Sequence, residues 1–411
     1  MNKKLKNTIL LFLILTICLF SLSGCYSERN IDHLAYVVAL GFDVGTDNKL
    51  RLSFQISVPG GSGDNGSSSQ SDSSVVNTIE CSTFDSGVNL LNSYLSKESN
   101  LSHCKMIVFS EEFASNGISE TLFTLMNKVE IRPDCNVLVS RCNAEYFLKN
   151  SEPVLEKLSA RYYEIAPTSS EYTGFTQSVT LSEFFSDYND TFQTCYAILG
   201  GINTSDTHNS DSSENAVEKD SSNKADETLI QGKTNIENMG LAIFSGDKLV
   251  GELNGIQTIC HQIISNTLNS CIINIPNPFE ENQTISLKVR PIKNTKNKVK
   301  LVNGSAYITS NINLEARILT MNENSKYLNT NEIQTLEKSI NSYLTTQLYD
   351  YLYKISKDFN SDIDGFGKYV VQNFQTYEDW KNFNWLENFK NSFFEVSVNT
   401  TVKSGYILME S

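Results

Sequence analysis

The first 25 residues decide where the rest of this chain has to fold. Lys3, Lys4 and Lys6 precede an apolar run from Ile9 to Phe20, and the run ends in Ser21-Leu22-Ser23-Gly24-Cys25. About a dozen apolar residues fall short of the ~20 that a helix needs to cross a bilayer, and basic residues before such a run with small residues after it mark an export signal. The sequence therefore predicts a signal peptide over residues 1–24, removed from a chain that folds outside the cytoplasm. Past Cys25 no apolar run approaches the length of a membrane span, so a globular body is expected beyond the membrane.

Leu22, Ser23, Gly24 and Cys25 resemble the bacterial lipobox, where small residues admit a peptidase and the thiol takes up a diacylglyceryl group before cleavage. The resemblance implies covalent lipid on Cys25, diacylglycerol with an N-acyl chain, and no other cofactor. Two or three chains at ~0.8 kcal/mol per buried methylene hold a protein at a membrane almost permanently. The alternative is an ordinary secretory signal in which Gly24-Cys25 is accidental.

Without residues 1–24 the chain keeps 387 residues, 30 of them basic and 47 acidic, for a formal charge of −17. That size suits two or three domains. The charge argues against nucleic acid as a partner and against a polybasic grip on anionic lipid. Seven cysteines remain besides Cys18 and Cys25, an odd number with no CxxC, mostly inside apolar stretches. Buried free thiols are expected, with one or two disulfides as the alternative.

Hydrophobic periodicity predicts an α+β fold of two or three domains, with mixed and antiparallel sheets covered by helices on one side. A hairpin of Tyr36 to Phe42 and Leu50 to Val58 opens an N-terminal α/β domain over 25–202, with a flexible Gly- and Ser-rich loop at 60–74. A disordered acidic linker is expected over 203–234. A middle α+β module over 235–293 starts with strands Met239 to Phe244 and Lys248 to Leu253 and a helix Ile256 to Leu268. A C-terminal α+β domain over 294–411 is predicted to hold strands at Lys298 to Thr309, Ile312 to Leu319, Phe393 to Thr401 and Tyr406 to Met409. Its clearest element is a helix from Thr330 to Asp358, capped by Thr330, with Leu336, Ile340, Leu344, Leu348 and Leu352 on one face.

No catalytic constellation can be read. His33, His103, His208 and His261 are the only imidazoles. The adjacent pairs His103-Cys104 and Cys260-His261 point their side chains apart on a strand or a helix, so neither makes a nucleophile–base couple with itself. No H-E-x-x-H, CxxC or acidic Ca²⁺ loop is present, so neither a metal site nor catalysis is expected.

Three stretches carry a resemblance: Cys25-Tyr26-Ser27-Glu28-Arg29-Asn30-Ile31-Asp32-His33 running into Tyr36-Val37-Val38-Ala39-Leu40-Gly41-Phe42-Asp43; Gly240-Leu241-Ala242-Ile243-Phe244-Ser245-Gly246-Asp247; and Asp362-Ile363-Asp364-Gly365-Phe366-Gly367-Lys368-Tyr369 with Trp380-Lys381. Their order and their attachment to a lipobox resemble the Ger(x)C family, the lipoprotein C subunit of spore germinant receptors. The resemblance implies a non-catalytic lipoprotein on the outer face of the spore inner membrane, assembled with a polytopic A subunit and an integral membrane B subunit; whether the chain touches the germinant stays open. By residue chemistry alone, Gly365 and Gly367 supply turn geometry and Phe366 plugs a core, while Asp362, Asp364, Gly365, Phe366 and Gly367 together are a candidate partner surface. The competing readings are a solute-binding lipoprotein of a transport system and a lipoprotein hydrolase.

Overall fold

This computed structural model of the protein describes residues 3–21, 31–46, 50–58, 74–151, 155–156, 158–203, 221–228, 235–280, 283–320 and 330–403. Leu22, Ser23, Gly24, Cys25, His208, most of the 60–74 loop and the expected strand Tyr406 to Met409 lie outside the described residues. The apolar run forms helix α1 (Lys3–Ser21), none of whose described side chains joins a core cluster. No helix among the described residues is long and apolar enough to cross a membrane.

The body begins with a nine-stranded mixed sheet. Its strands are β1 (Leu34–Asp43), β2 (Leu50–Ser57), β3 (Ser74–Cys81), β4 (Glu98–Asn100), β5 (Met106–Ser110), β6 (Asn136–Ser140), β7 (Tyr196–Ile202), β8 (Ile236–Ser245) and β9 (Lys248–Leu253). They lie in the order β3-β2-β1-β5-β6-β7-β8-β9, with β4 beside β1. The centre, β1 to β7, is parallel, and antiparallel hairpins flank it. Strands β5 (Met-Ile-Val-Phe-Ser) and β6 (Asn-Val-Leu-Val-Ser) are buried throughout, as strands covered on both faces must be.

Alternation sends Ile107, Phe109, Val137 and Val139 to one face, under α2 (Phe84–Tyr94), α3 (Glu111–Asn116), α4 (Ser119–Met126) and α7 (Leu181–Tyr188). Met106, Val108 and Leu138 go to the other, under α5 (Ala144–Asn150) and α6 (Ser159–Ile165). Helices on one side only were expected. The parallel centre overrules that, because each parallel connection must cross the sheet, and crossovers fill both faces.

The expected linker also differs. Ile202 on β7 pairs with Ile236 on β8, so 203–235 connects two neighbouring antiparallel strands and joins no separate domains. Its described part, 221–228, is docked and not disordered. Ala225 is fully buried, and Arg141 Nη1 donates to Ala225 O at 2.8 Å and to Glu227 at 3.0 Å, with Asp226 also paired to it. A segment rich in acid groups found a cation to fold against.

The second sheet has four strands, β10 (Cys271–Pro276), β11 (Thr284–Val302), β12 (Ser305–Thr320) and β13 (Phe393–Lys403), in that order. The boundary expected at 293/294 falls inside β11. The strands expected at Lys298 to Thr309 and Ile312 to Leu319 are parts of two longer ones, because Asn303 (φ 51°) and Gly304 (φ 81°) form the turn inside the stretch read as a single strand, Lys298 to Thr309. Asn-Gly is the pair that accepts two positive φ values, and here it reverses the chain.

Helices α8 (Gly255–Ser265) and α9 (Thr330–Tyr353) cover the inner face, with Leu336, Ile340, Leu344, Leu348 and Leu352 of α9 all buried. Thr330 is already helical and so is not the cap, and a π-turn over Lys354–Asp358 closes the helix. Helix α9 also seals the sheet's last edge. Tyr349 Oη, Asn341 Oδ1 and Glu337 Oε1 accept the N–H groups of Val396, Thr400 and Val402 at 3.2, 2.9 and 2.9 Å. A four-residue helix step of about 6.0 Å nearly matches a two-residue strand step of about 6.7 Å, so one helix face can serve successive outward amides.

Candidate functional site: a buried joint between the two sheets

The stretch after α9 turns sharply at Asn360 (φ 46°) and Gly365 (φ 69°) and carries Asp362 into the interior. The Asp362 carboxylate accepts the N–H groups of Phe366 and Gly367 at 3.0 and 2.9 Å and the indole N–H of Trp385 at 2.8 Å. An acid four residues ahead of a helical turn caps it in this way. The same stretch then grips the loop ahead of β7. Thr194 N–H donates to Asp362 O at 2.9 Å, Thr194 Oγ1 and Ser361 Oγ lie 2.6 Å apart, and Ser361 Oγ donates to Phe244 O on β8 at 2.5 Å. Lys368 Nζ donates to Gln193 Oε1 at 2.7 Å, and Trp380 Nε1 to Thr191 Oγ1 at 3.0 Å.

A second buried carboxylate lies two residues on. Asp364 accepts from His261 Nδ1 on α8 at 2.8 Å and from Tyr351 Oη on α9 at 2.9 Å, and the edge of the Tyr196 ring on β7 meets the imidazole with centroids 4.8 Å apart. The side chains of His261 and Asp364 are 1% and 0% exposed. With Nδ1–H given to Asp364, His261 Nε2 has no hydrogen-bond partner among the described residues in its buried setting. Burial pushes the Asp362 carboxyl up to about 7 against the pull of its three N–H donors. Burial raises Asp364 as well, opposed by the hydrogen bond from His261, and raises Tyr351 with the Asp364 charge adding to it. The joint thus encloses two carboxyls, and burial, the largest influence on each, favours the neutral form.

The five residues expected as a partner surface are therefore internal. Asp362, Gly365, Phe366 and Gly367 are buried, and the side chain of Asp364 is enclosed. Phe366 packs on Phe389 and Phe394 in the core, as its plug reading has it. Their chemistry faces residues 191–194 of the same chain, a partner 170 positions away that no local pattern announces. His103 is exposed beside buried Cys104, while Cys260 and His261 are both buried on α8. The seven cysteines beyond Cys25 are free thiols, six of them buried and Cys142 half-buried. The His261–Asp364–Tyr351 group was not legible in the sequence. The one available signal was the concentration of both tryptophans of the chain just after Asp362.

Two sheets locked by an enclosed polar joint define a multi-domain α+β protein. Residues 27–202 match the family described as the spore germination protein N-terminal domain, and residues 239–405 match the spore germination B3/GerAC-like C-terminal family. The chain belongs to this GerAC-like family of spore germination proteins. The putative spore germination protein YfkR of Bacillus subtilis (strain 168) is 24% identical over 408 residues, covering 97% of this chain and 96% of that one. A crystal structure of the GerBC protein aligns with 88% of this chain and 96% of its own at 14% identity and a TM-score of 0.47. The C-terminal family region begins at residue 239, inside β8, so its first two strands complete the sheet of the N-terminal region.

Proposed function

We propose that this protein is the lipid-anchored subunit of a spore nutrient-germinant receptor, held by acyl chains on Cys25 at the outer face of the spore inner membrane. It assembles there with integral membrane A and B subunits and performs no catalytic step. The observation that carries this reading is the match of both family regions along 27–202 and 239–405. Two further features support it. The basic-apolar-Leu-Ser-Gly-Cys order at the N-terminus supplies the chemistry of an anchor. The buried imidazole, His261, spends its Nδ1 on an enclosed carboxylate, an arrangement suited to fixing two sheets together and not to meeting a substrate.

Replacement of the anchor tests the proposal. Cys25→Ala should yield a folded protein lost from the spore membrane fraction, with A and B no longer co-purifying and nutrient-triggered germination slowed. Unchanged retention and germination in that variant, in a strain with no second copy of the gene, would sink the anchor. Deletion of the whole chain without effect on any nutrient response would sink the receptor role.

A further inference from the structure

We infer that the solvent face of the second sheet is a docking surface for an anionic phospholipid bilayer. The chain as a whole carries a formal charge of −14, yet the 19 residues of β11 hold six basic side chains and no acidic one. Along β11 the burial alternates, and Lys288, Arg290, Lys296, Lys298 and Lys300 all fall on the exposed face. Arg317 on β12 and Lys403 on β13 extend it. Glu315 and Glu395 are the acidic groups on this face among the described residues, so its formal charge is +5, opposite in sign to the rest of the protein. Helices α8 and α9 pack on the other side, and no described element covers this one.

Register makes the charge harder to dismiss. Lys288, Arg317 and Lys403 occupy directly neighbouring positions on β11, β12 and β13, and among the described residues only Lys403 of the three reaches a carboxylate, Glu315 at 2.7 Å. Like charges set side by side weaken a sheet, so folding gives no reason for that row. At the far end Lys300 lies opposite Tyr307, which lies opposite Phe393; the two rings stack with centroids 5.0 Å apart. Tyr307, Phe393 and Val302 beside the Asn303-Gly304 turn are 44, 46 and 47% exposed.

An acidic protein would satisfy the cations. The combination favours lipid: a broad open sheet face, lysine stems long enough to reach phosphates while their methylenes lie on apolar matter, and aromatic and aliphatic side chains at the same rim. Net charge hides such a surface because attraction over about a Debye length depends on the face presented and not on the total.

The inference deepens the membrane placement proposed above and can fail separately from it. The mature chain from residue 26, which loses no core residue with α1, is made without an acyl group and mixed with phosphatidylcholine vesicles with or without phosphatidylglycerol. It should sediment with the phosphatidylglycerol vesicles alone and be released by salt. Removing three charges in K296Q/K298Q/K300Q should weaken binding about 100-fold, at ~1 kcal/mol per basic residue near an anionic surface. K248Q, on exposed β9 away from this face, should bind as the parent does. Equal binding to both vesicle types, or a triple variant that binds like the parent, overturns the inference. Retention of the parent but not the triple variant on polyglutamate, with no vesicle binding, also overturns it and assigns the face to an acidic protein. None of these outcomes touches Cys25, so the anchor stands or falls on its own test.

Discussion

Burial and hydrogen bonding pull on Asp362 in opposite directions. Three N–H donors favour the carboxylate, full enclosure favours the acid, and enclosure prevails by lifting the group from its usual range to about 7. The sign of the consequence follows from linkage. A folded value above the unfolded one gives stability that is complete below pH ~4 and is lost as pH rises through ~7, because the unfolded chain ionises first. Asp362→Asn, which cannot ionise, should therefore gain on the parent between pH 4 and 7, by roughly 4 kcal/mol at full ionisation. Urea titrations of both proteins across that range, read by tryptophan emission, check this; parallel stability curves would refute it. The optical probe is well placed, since Trp380 and Trp385 are the only tryptophans and both lie in the joint.

Among the elements, those whose partners lie close in sequence were legible. The β1–β2 hairpin, α8 and the apolar face of α9 follow from periodicity and turn residues, because local geometry alone fixes them. The 221–228 segment did not follow, because its order comes from Arg141, more than 80 positions earlier. Polar composition says that a segment cannot build a core; it does not say whether a charge elsewhere will hold it. Arg141→Ala should free the segment. We expect cleavage by a protease within 221–228 to quicken, with a global stability loss of only about 1–2 kcal/mol, since the Arg141 side chain keeps 23% exposure and its partners in the segment, Asp226 and Glu227, keep 33 and 37%. An unchanged cleavage rate would show that burial of Ala225, and not the ion pairs, docks it.

At the scale of the whole molecule, the joint rests on close approach. A Cβ on Gly367 would meet the backbone carbonyl oxygen of Phe192 at 2.3 Å, so Gly367→Ala must push residues 191–194 away from the 361–367 turn. The expected result is a loss of about 1–3 kcal/mol, with faster hydrogen exchange in both segments while the centre of the first sheet stays protected. Exchange that quickens evenly over both sheets would mean that they unfold as one unit and that the joint is no separate element.

The sequence by itself determined the family, the α+β class and most of the short-range elements. Each of these is written in neighbouring residues: a two- or 3.6-residue period, a motif of eight or nine positions. Only the tertiary structure decided that β8 and β9 belong to the first sheet, that Asp362 to Gly367 face inward, and that the basic residues of β11 gather on one uncovered face. Those facts depend on which distant segments meet and on which side of a sheet stays open. They are set by the packing of strands hundreds of residues apart, a free energy shared across the whole fold and carried by no single stretch of it.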